Sequence, residues 1–239
     1  DVADTQHEFR ERLIELIGTA KTDEFFDSWH KNHVTKADID SLASWGFNSV
    51  RLPMHYNLFT LPIQDEPISG ENTWLEKGFT MVDELLDWCK SNEMYLILDL
   101  HAAPGGQGAN AAISDYDSDL PSLWESNENK SKTVALWKKL AERYKSEAWL
   151  GGYDLLNEVN WTLENENEDL RLLYEQITDS IRSVDTDHII FIEGNGFAND
   201  FRGLTPPWDD NMVYSFHKYW STNNEGSIDW VLKIREEHN

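Results

Sequence analysis

Five short apolar runs punctuate this chain, and longer helical patterns separate them. The runs are NSVRL (48–52), MYLILDL (94–100), GYDLLNE (152–158), HIIFIE (188–193) and MVYSFH (212–217). Each has the length of a strand. Each is continuous rather than alternating, as strands are when both faces of their sheet are covered. Helical candidates lie between them near residues 73–91, 130–146 and 166–184, with others near 36–45, 227–238 and 7–17. In LWKKLAERYK, Leu136, Trp137, Leu140 and Tyr144 fall on one helical stripe. Strand and helix in alternation imply a parallel sheet with right-handed crossovers, so the class is α/β. No repeat and no Gly/Ser- or Pro-rich linker interrupts the pattern, which gives one domain over residues 1–239.

Two architectures suit that order, a doubly wound open sheet and a (β/α) barrel. The first strand is not followed by a glycine-rich phosphate loop, which counts against a nucleotide-binding sheet. The one Gly-rich piece, APGGQGAN (103–110), lacks the Walker Lys-Ser/Thr and the dinucleotide spacing, so its glycines are read as letting a loop bend over a pocket. No G-x-S-x-G elbow marks an open-sheet hydrolase.

In a barrel the C-terminal ends of the strands converge on one face, where active sites are built. Here those ends carry Arg51; Asp99 and His101; Asn157 and Glu158; Glu193 and Asn195; and His217, Tyr219 and Trp220. Structural readings stand beside the functional ones: Arg51 as a buried ion-pair partner, His101 as a satisfied loop histidine, His217 and Tyr219 as caps, Glu158 as a helix N-terminal charge. Asn157 beside Glu158 tilts the balance towards chemistry. A carboxyl that must hold a proton near neutral pH needs a crowded, partly apolar site, and the preceding YDLL supplies one.

Composition narrows the partners. A net charge of −24, spread along the chain, makes nucleic acid and anionic membrane surfaces unsuitable. No apolar run approaches the roughly 18–20 residues needed to span a bilayer. Residue 1 is Asp and no signal peptide is visible, which fits a cytoplasmic chain or a mature secreted one. The lone Cys89, in a helical run, excludes an internal disulfide and a cysteine metal cluster and reads as a packing residue. SDYDSDL (114–120) has D-x-D-x-D spacing, but Leu120 follows where a calcium loop needs Gly and Ser126 stands where it needs Glu. No cofactor and no catalytic metal are expected. The 11 Trp residues suit stacking on sugar rings, though most belong to the core.

Taken in order, WGFNSVRLP, DLHAAPGGQ, GYDLLNE and SFHKY resemble glycoside hydrolase family five, the cellulase family of the retaining (β/α)8-barrel clan. The match covers residues from about 40 to 220. The resemblance implies a TIM-type barrel that cleaves β-linked glucans, with Glu158 as general acid/base and Asn157 holding the sugar 2-hydroxyl. Arg51 would support the catalytic carboxylates, His101 would lie near the scissile sugar, and His217 and Tyr219 would flank the nucleophile. Trp161, Trp124 and Trp220 are candidate sugar platforms, and Glu193 a candidate substrate hydrogen-bonding or structural residue. Endo action on 1,4-linked glucan is the leading expectation. Exo action on 1,3-linked glucan, a mannanase-type activity and a non-catalytic carbohydrate-binding partial barrel are the alternatives.

The sequence also departs from the family pattern. The family's nucleophile is a Glu on the seventh strand, beyond the strand carrying His-x-Tyr, and only five strands are visible, matching the second to sixth. The barrel is therefore expected to be incomplete here, with its nucleophile outside these residues. The remaining wall would come from a larger barrel or from a complementary polypeptide segment. Val159 stands where family members often have Pro, and Asn160-Trp161-Thr162 is a glycosylation sequon. A glycan there would obstruct the cleft, so the sequon is expected to be unmodified. A secreted or periplasmic protein of bacterial type fits that reading.

Overall fold

The computed structural model describes residues 3–238 other than Ser221 and Asn223. The chain begins with three helices, α1 (Gln6–Ile17), α2 (Thr19–Asn32) and α3 (Lys36–Ser44), before the first strand β1 (Ser49–His55). Then come α4 (Glu76–Ser91), β2 (Tyr95–Ala102), the one-turn α5 (Ala111–Ser114), α6 (Asn127–Tyr144), β3 (Leu150–Asp154) and α7 (Glu168–Arg182). β4 (Ile189–Glu193), the one-turn α8 (Asn195–Ala198), β5 (Met212–Ser215) and α9 (Asp229–His238) complete the order.

Local signals set several of these boundaries. Thr5 and Glu8 form a reciprocal capping box at the start of α1, Thr35 and Asp38 do so at α3, and Ser126 accepts from Asn129 N to open α6. All six expected helices form, with ends shifted by a few residues. Residues 19–32, where no element was anticipated, form α2. That helix has no side-chain cap at its start, and its aromatic rings meet α1 instead of the sheet: Phe9, Phe25 and Phe26 lie edge to edge at 5.3–6.2 Å. The strands also end elsewhere than expected. β1 runs on to His55 and β2 to Ala102, so Arg51 and Asp99 sit within strands, while β3 stops at Asp154, four residues before Glu158.

All four strand pairings are parallel, and the spatial order is the sequence order, β1-β2-β3-β4-β5. A doubly wound sheet reverses direction part-way; a single winding without reversal is the barrel arrangement. The five strands form part of such a wall. Its outer face is packed with Leu96, Leu98, Leu100, Tyr153, Ile190 and Ile192, all fully buried. The α6 stripe foreseen in the sequence closes over it: Leu136, Trp137 and Leu140 are fully buried, and Trp137 meets Tyr153 edge-on at 5.8 Å. Cys89 is also fully buried. Among the described residues no helix is long and apolar enough to cross a membrane.

Trp137 also donates its indole N–H to Leu155 O at 3.1 Å, which ties α6 to the chain leaving β3. Trp137→Ala should therefore leave both a void and an unpaired carbonyl. We expect a loss of about 3–5 kcal/mol of stability, read from urea unfolding curves; a loss below about 1 kcal/mol would mean that this contact does not anchor the wall.

Candidate active site

Parity along the strands decides which side chains meet. Partners in a parallel sheet project to the same face, and every second residue returns to it. Pro53 pairs with Asp99, Asp99 with Asp154, Asp154 with Phe191, and Glu193 with Ser215. Stepping by twos from that row, Arg51, Asp99, His101, Asp154 and Glu193 share the inner face, and two residues beyond Ser215 stands His217.

Arg51 is the hub of this group. Its Nε donates to Asp154 Oδ2 at 2.7 Å, and Nη1 lies 3.0 Å from Asp99 Oδ2. Nη2 donates to Glu193 Oε1 at 2.7 Å and to Asn157 Oδ1 at 3.1 Å. All three carboxyl groups are buried, so one cation faces three acids where water cannot screen them. Burial pushes Asp154 well above the usual carboxylate range, reinforced by the charge of Glu193, and burial moves Asp99 in the same direction. Both aspartates keep a second oxygen with no hydrogen-bond partner. Protonation of either aspartate would relieve the repulsion.

From the hub, contacts run outwards to the rim. His101 Nδ1 lies 2.8 Å from Asp99 Oδ2, and Asn157 Nδ2 lies 3.4 Å from His101 Nε2. This pattern assigns the ring proton to Nδ1 and leaves Nε2 to accept. Asn157 is thus held at both ends of its amide and is itself buried. Buried Gln107 staples two loops together, donating to His101 O at 2.7 Å and Asn157 O at 2.8 Å while accepting from Ala103 N. It can reach because Gly105 and Gly106 adopt φ +78°, and a Cβ on Gly106 would lie 2.8 Å from that of Tyr116.

Glu158 follows Asn157 in the left-handed region at φ +43°. For a residue with a Cβ this costs roughly 1–2 kcal/mol. The turn brings its Oε1 to 2.6 Å from His217 Nδ1. The other ring nitrogen of His217, Nε2, lies 3.1 Å from Glu193 Oε1. Glu193, chiefly through that hydrogen bond, pushes His217 up to about 9, with Glu158 adding to the effect and burial opposing it.

The candidate sugar-contacting residues are distributed less evenly. Tyr219 and Trp220 are exposed, and the Tyr219 ring lies 6.3 Å from His217. Trp161 is half-buried, edge-on to Tyr116 at 5.3 Å. Trp124 is buried, with its indole N–H donating to Gln107 O at 2.9 Å, so the structure makes it a packing residue under the loop instead of an open platform. Glu193 is fully buried, and both its oxygens are engaged: Oε1 by Arg51 and His217, Oε2 by Glu158 N at 2.7 Å. Its enclosure keeps both oxygens among these protein groups and away from open space where a sugar could lie.

Three features of the site were not anticipated. Asp154 lay inside an apolar run, where the charge itself was the signal. Gln107 lay among glycines. Asp115, within the acidic run, accepts from His7 N and lies 2.8 Å from both His7 Nδ1 and His55 Nε2, which fastens α1 to the rim. Burial opposes the charge on Asp115, but hydrogen bonds from His55 and His7 outweigh it and hold the carboxyl below its usual value. Among the described residues no cluster of His, Cys, Asp or Glu is arranged to hold a metal ion.

A parallel wall with this rim can be set beside known proteins. The family model for cellulase, glycosyl hydrolase family 5, matches residues 5–238. The chain belongs to glycosyl hydrolase family 5. A β-xylosidase of Phanerodontia chrysosporium is 31% identical over 90% of this chain and 43% of its own length. Endoglucanase C of Acetivibrio thermocellus is 31% identical over 82% of this chain and 52% of its own. The chain therefore spans about half the length of these relatives. The crystal structure of endoglucanase Cel5A from Thermotoga maritima superposes with a TM-score of 0.61 at 22% identity, covering 78% of this chain and 53% of that one. The five-stranded wall is thus part of the family-5 barrel.

Within this family-5 wall, removing the hub should expose what it balances. Arg51→Met should cost about 3 kcal/mol at pH 7 by leaving buried carboxylates without their cation. Asp99 and Asp154 have raised values and take up protons as pH falls, so the deficit relative to wild type should shrink towards about pH 5. Chemical denaturation at both pH values checks this, and a deficit that grows on acidification would refute the electrostatic origin.

Proposed function

We propose that this chain carries the acid/base half of a retaining β-glucan hydrolase, within one catalytic domain. The observation that supports this reading most is the pose of Glu158. A strained left-handed turn delivers its carboxyl, 15% exposed, to the rim against His217, directly after an amide locked by Arg51 and His101.

Glu158 protonates the glycosidic oxygen as the bond to the anomeric carbon breaks, and a second carboxylate attacks that carbon. In the next step Glu158, now ionised, takes a proton from water, which hydrolyses the glycosyl-enzyme. Asn157 keeps one amide hydrogen for the sugar 2-hydroxyl after bonding His101. Arg51 and His101 fix that amide, while His217 orients Glu158. Tyr219, Trp161 and Trp220 supply contacts at the rim. Retention needs the second carboxylate about 5–5.5 Å from the first. Glu193 is enclosed by Arg51, His217 and the Glu158 amide, so this reading takes the nucleophile from the part of the barrel beyond these five strands, in continuing chain or in a complementary segment. The relatives' names, β-xylosidase and endoglucanase, favour a glycan substrate, and a β-1,4-linked glucan is the one proposed. Such a polymer is met outside the cytoplasm, which goes with a secreted or periplasmic location.

Hydrolysis of a soluble β-1,4-glucan tests this. Glu158→Gln should lower kcat by about 100- to 10,000-fold with KM little changed, and should remove the basic limb of the pH profile. Proton NMR should show the β-anomer as first product. An inverted first product, or hydrolysis that survives Glu158→Gln with its basic limb intact, would overturn the assignment.

A further inference from the structure

We propose that Glu193 is the positioning residue of the acid/base. Its Oε2 pins the left-handed backbone of Glu158, and its Oε1 pins the far nitrogen of His217, so one buried carboxylate sets both the place of Glu158 and the proton that faces it. This rests on the reading of Glu158 as acid/base and adds the device that holds it there.

The contacts form a closed ring. Glu158 N donates to Glu193 Oε2 at 2.7 Å, Glu193 Oε1 lies 3.1 Å from His217 Nε2, and His217 Nδ1 lies 2.6 Å from Glu158 Oε1. A left-handed backbone at a non-glycine residue persists only where its surroundings fix it. Here that fixture is a charge-assisted bond from a side chain on the next strand. Glu193 is itself immobile: it is fully buried, Arg51 Nη2 donates to Oε1 at 2.7 Å, and Tyr174 Oη donates to the Glu193 carbonyl at 2.9 Å.

The second consequence concerns the imidazole. Both ring nitrogens of His217 face carboxyl oxygens, and ionised carboxylates only accept. Facing Glu193 on one side and the unprotonated Oε1 of Glu158 on the other, with the proton of Glu158 in its acid form on Oε2, the ring carries both protons and is a cation. The groups that bear on it are Glu158 from the turn after β3, Glu193 from β4, Arg51 from β1 behind Glu193, and through Arg51 the acids Asp99 and Asp154. Tyr219 and Lys218 are its neighbours on its own segment. Its affinity for protons is raised to about 9, so the cation persists through neutral pH and is lost only as pH rises through that value. A fixed positive charge at Oε1 stabilises the carboxylate that Glu158 becomes once it has given its proton away. Proton transfer is left to Oε2.

Nitrogen-15 NMR of the histidine rings in the 239-residue protein tests this without relying on turnover, with His217→Asn used to assign the signal. In the wild type at about pH 7.5, both ring nitrogens of His217 should carry protons, with a midpoint near pH 9. In Glu193→Gln the midpoint should fall by about two pH units, and the Glu158 amide signal should move upfield as its acceptor loses charge. Glu193→Asp should restore part of the His217 shift. A wild-type ring with one protonated nitrogen at about pH 7.5 would overturn the proposal, and so would a Glu193→Gln midpoint within about half a unit of wild type. The first of these needs no variant, so it decides even if Glu193→Gln does not fold. A protein that shows the expected titration but cleaves no glucan would overturn the proposed function and leave this arrangement standing.

Discussion

Everything at the inner face depends on one guanidinium. Arg51 reaches from the first strand to acids on the second, third and fourth, and is the one cation that all three buried carboxyls share. That dependence also fixes how the strands are set against each other. Sliding one strand by a single residue would turn its acid out among the leucines and bring a leucine in to face Arg51. The apolar side of the sheet supplies most of the driving force for folding. The polar side rejects wrong registers, because a misplaced charge is penalised more heavily than a misplaced methyl group.

The architecture was legible because covered parallel strands and amphipathic helices leave strong signals. The stripe of Leu136, Trp137 and Leu140 marked α6, and the strand ends marked the rim. Arg51, His101, Asn157, Glu158 and His217 do come together in space. What could not be read was which partner each of them takes. Glu193 could be read either as a group facing the substrate or as a structural one, because it ends a strand. In fact its inward parity carries it under the rim to Arg51 and His217. Trp124 looked like a platform because sequence cannot say which side of a loop is covered. Asp154 was hidden because an acid in a run such as YDLL is placed only by pairing, and pairing is non-local.

The site is also layered. Arg51 with its acids forms the floor, Asn157 and His101 the middle, and Glu158 with His217 the top. Gln107 runs along the side and binds the loop after β2 to the turn after β3. Each layer orients the one above through hydrogen bonds with few alternative partners. The exposed Tyr219 and Trp220 stand outside this stack, on a segment that the floor does not reach.

The helical pair at the start of the chain is attached in another way. No residue of α1 is buried, and of α2 only Thr22 is. The pair holds to the rest through polar ties such as His7 to Asp115 and Lys77 to Asp27, while its phenylalanine rings pack on one another. Such an attachment has little cooperativity with the sheet. The contacts that opening of the pair would break are few, and the packing of the sheet's outer face is not among them. The part of this chain with the fewest enclosed side chains is therefore fastened beside the part whose side chains are the most tightly constrained.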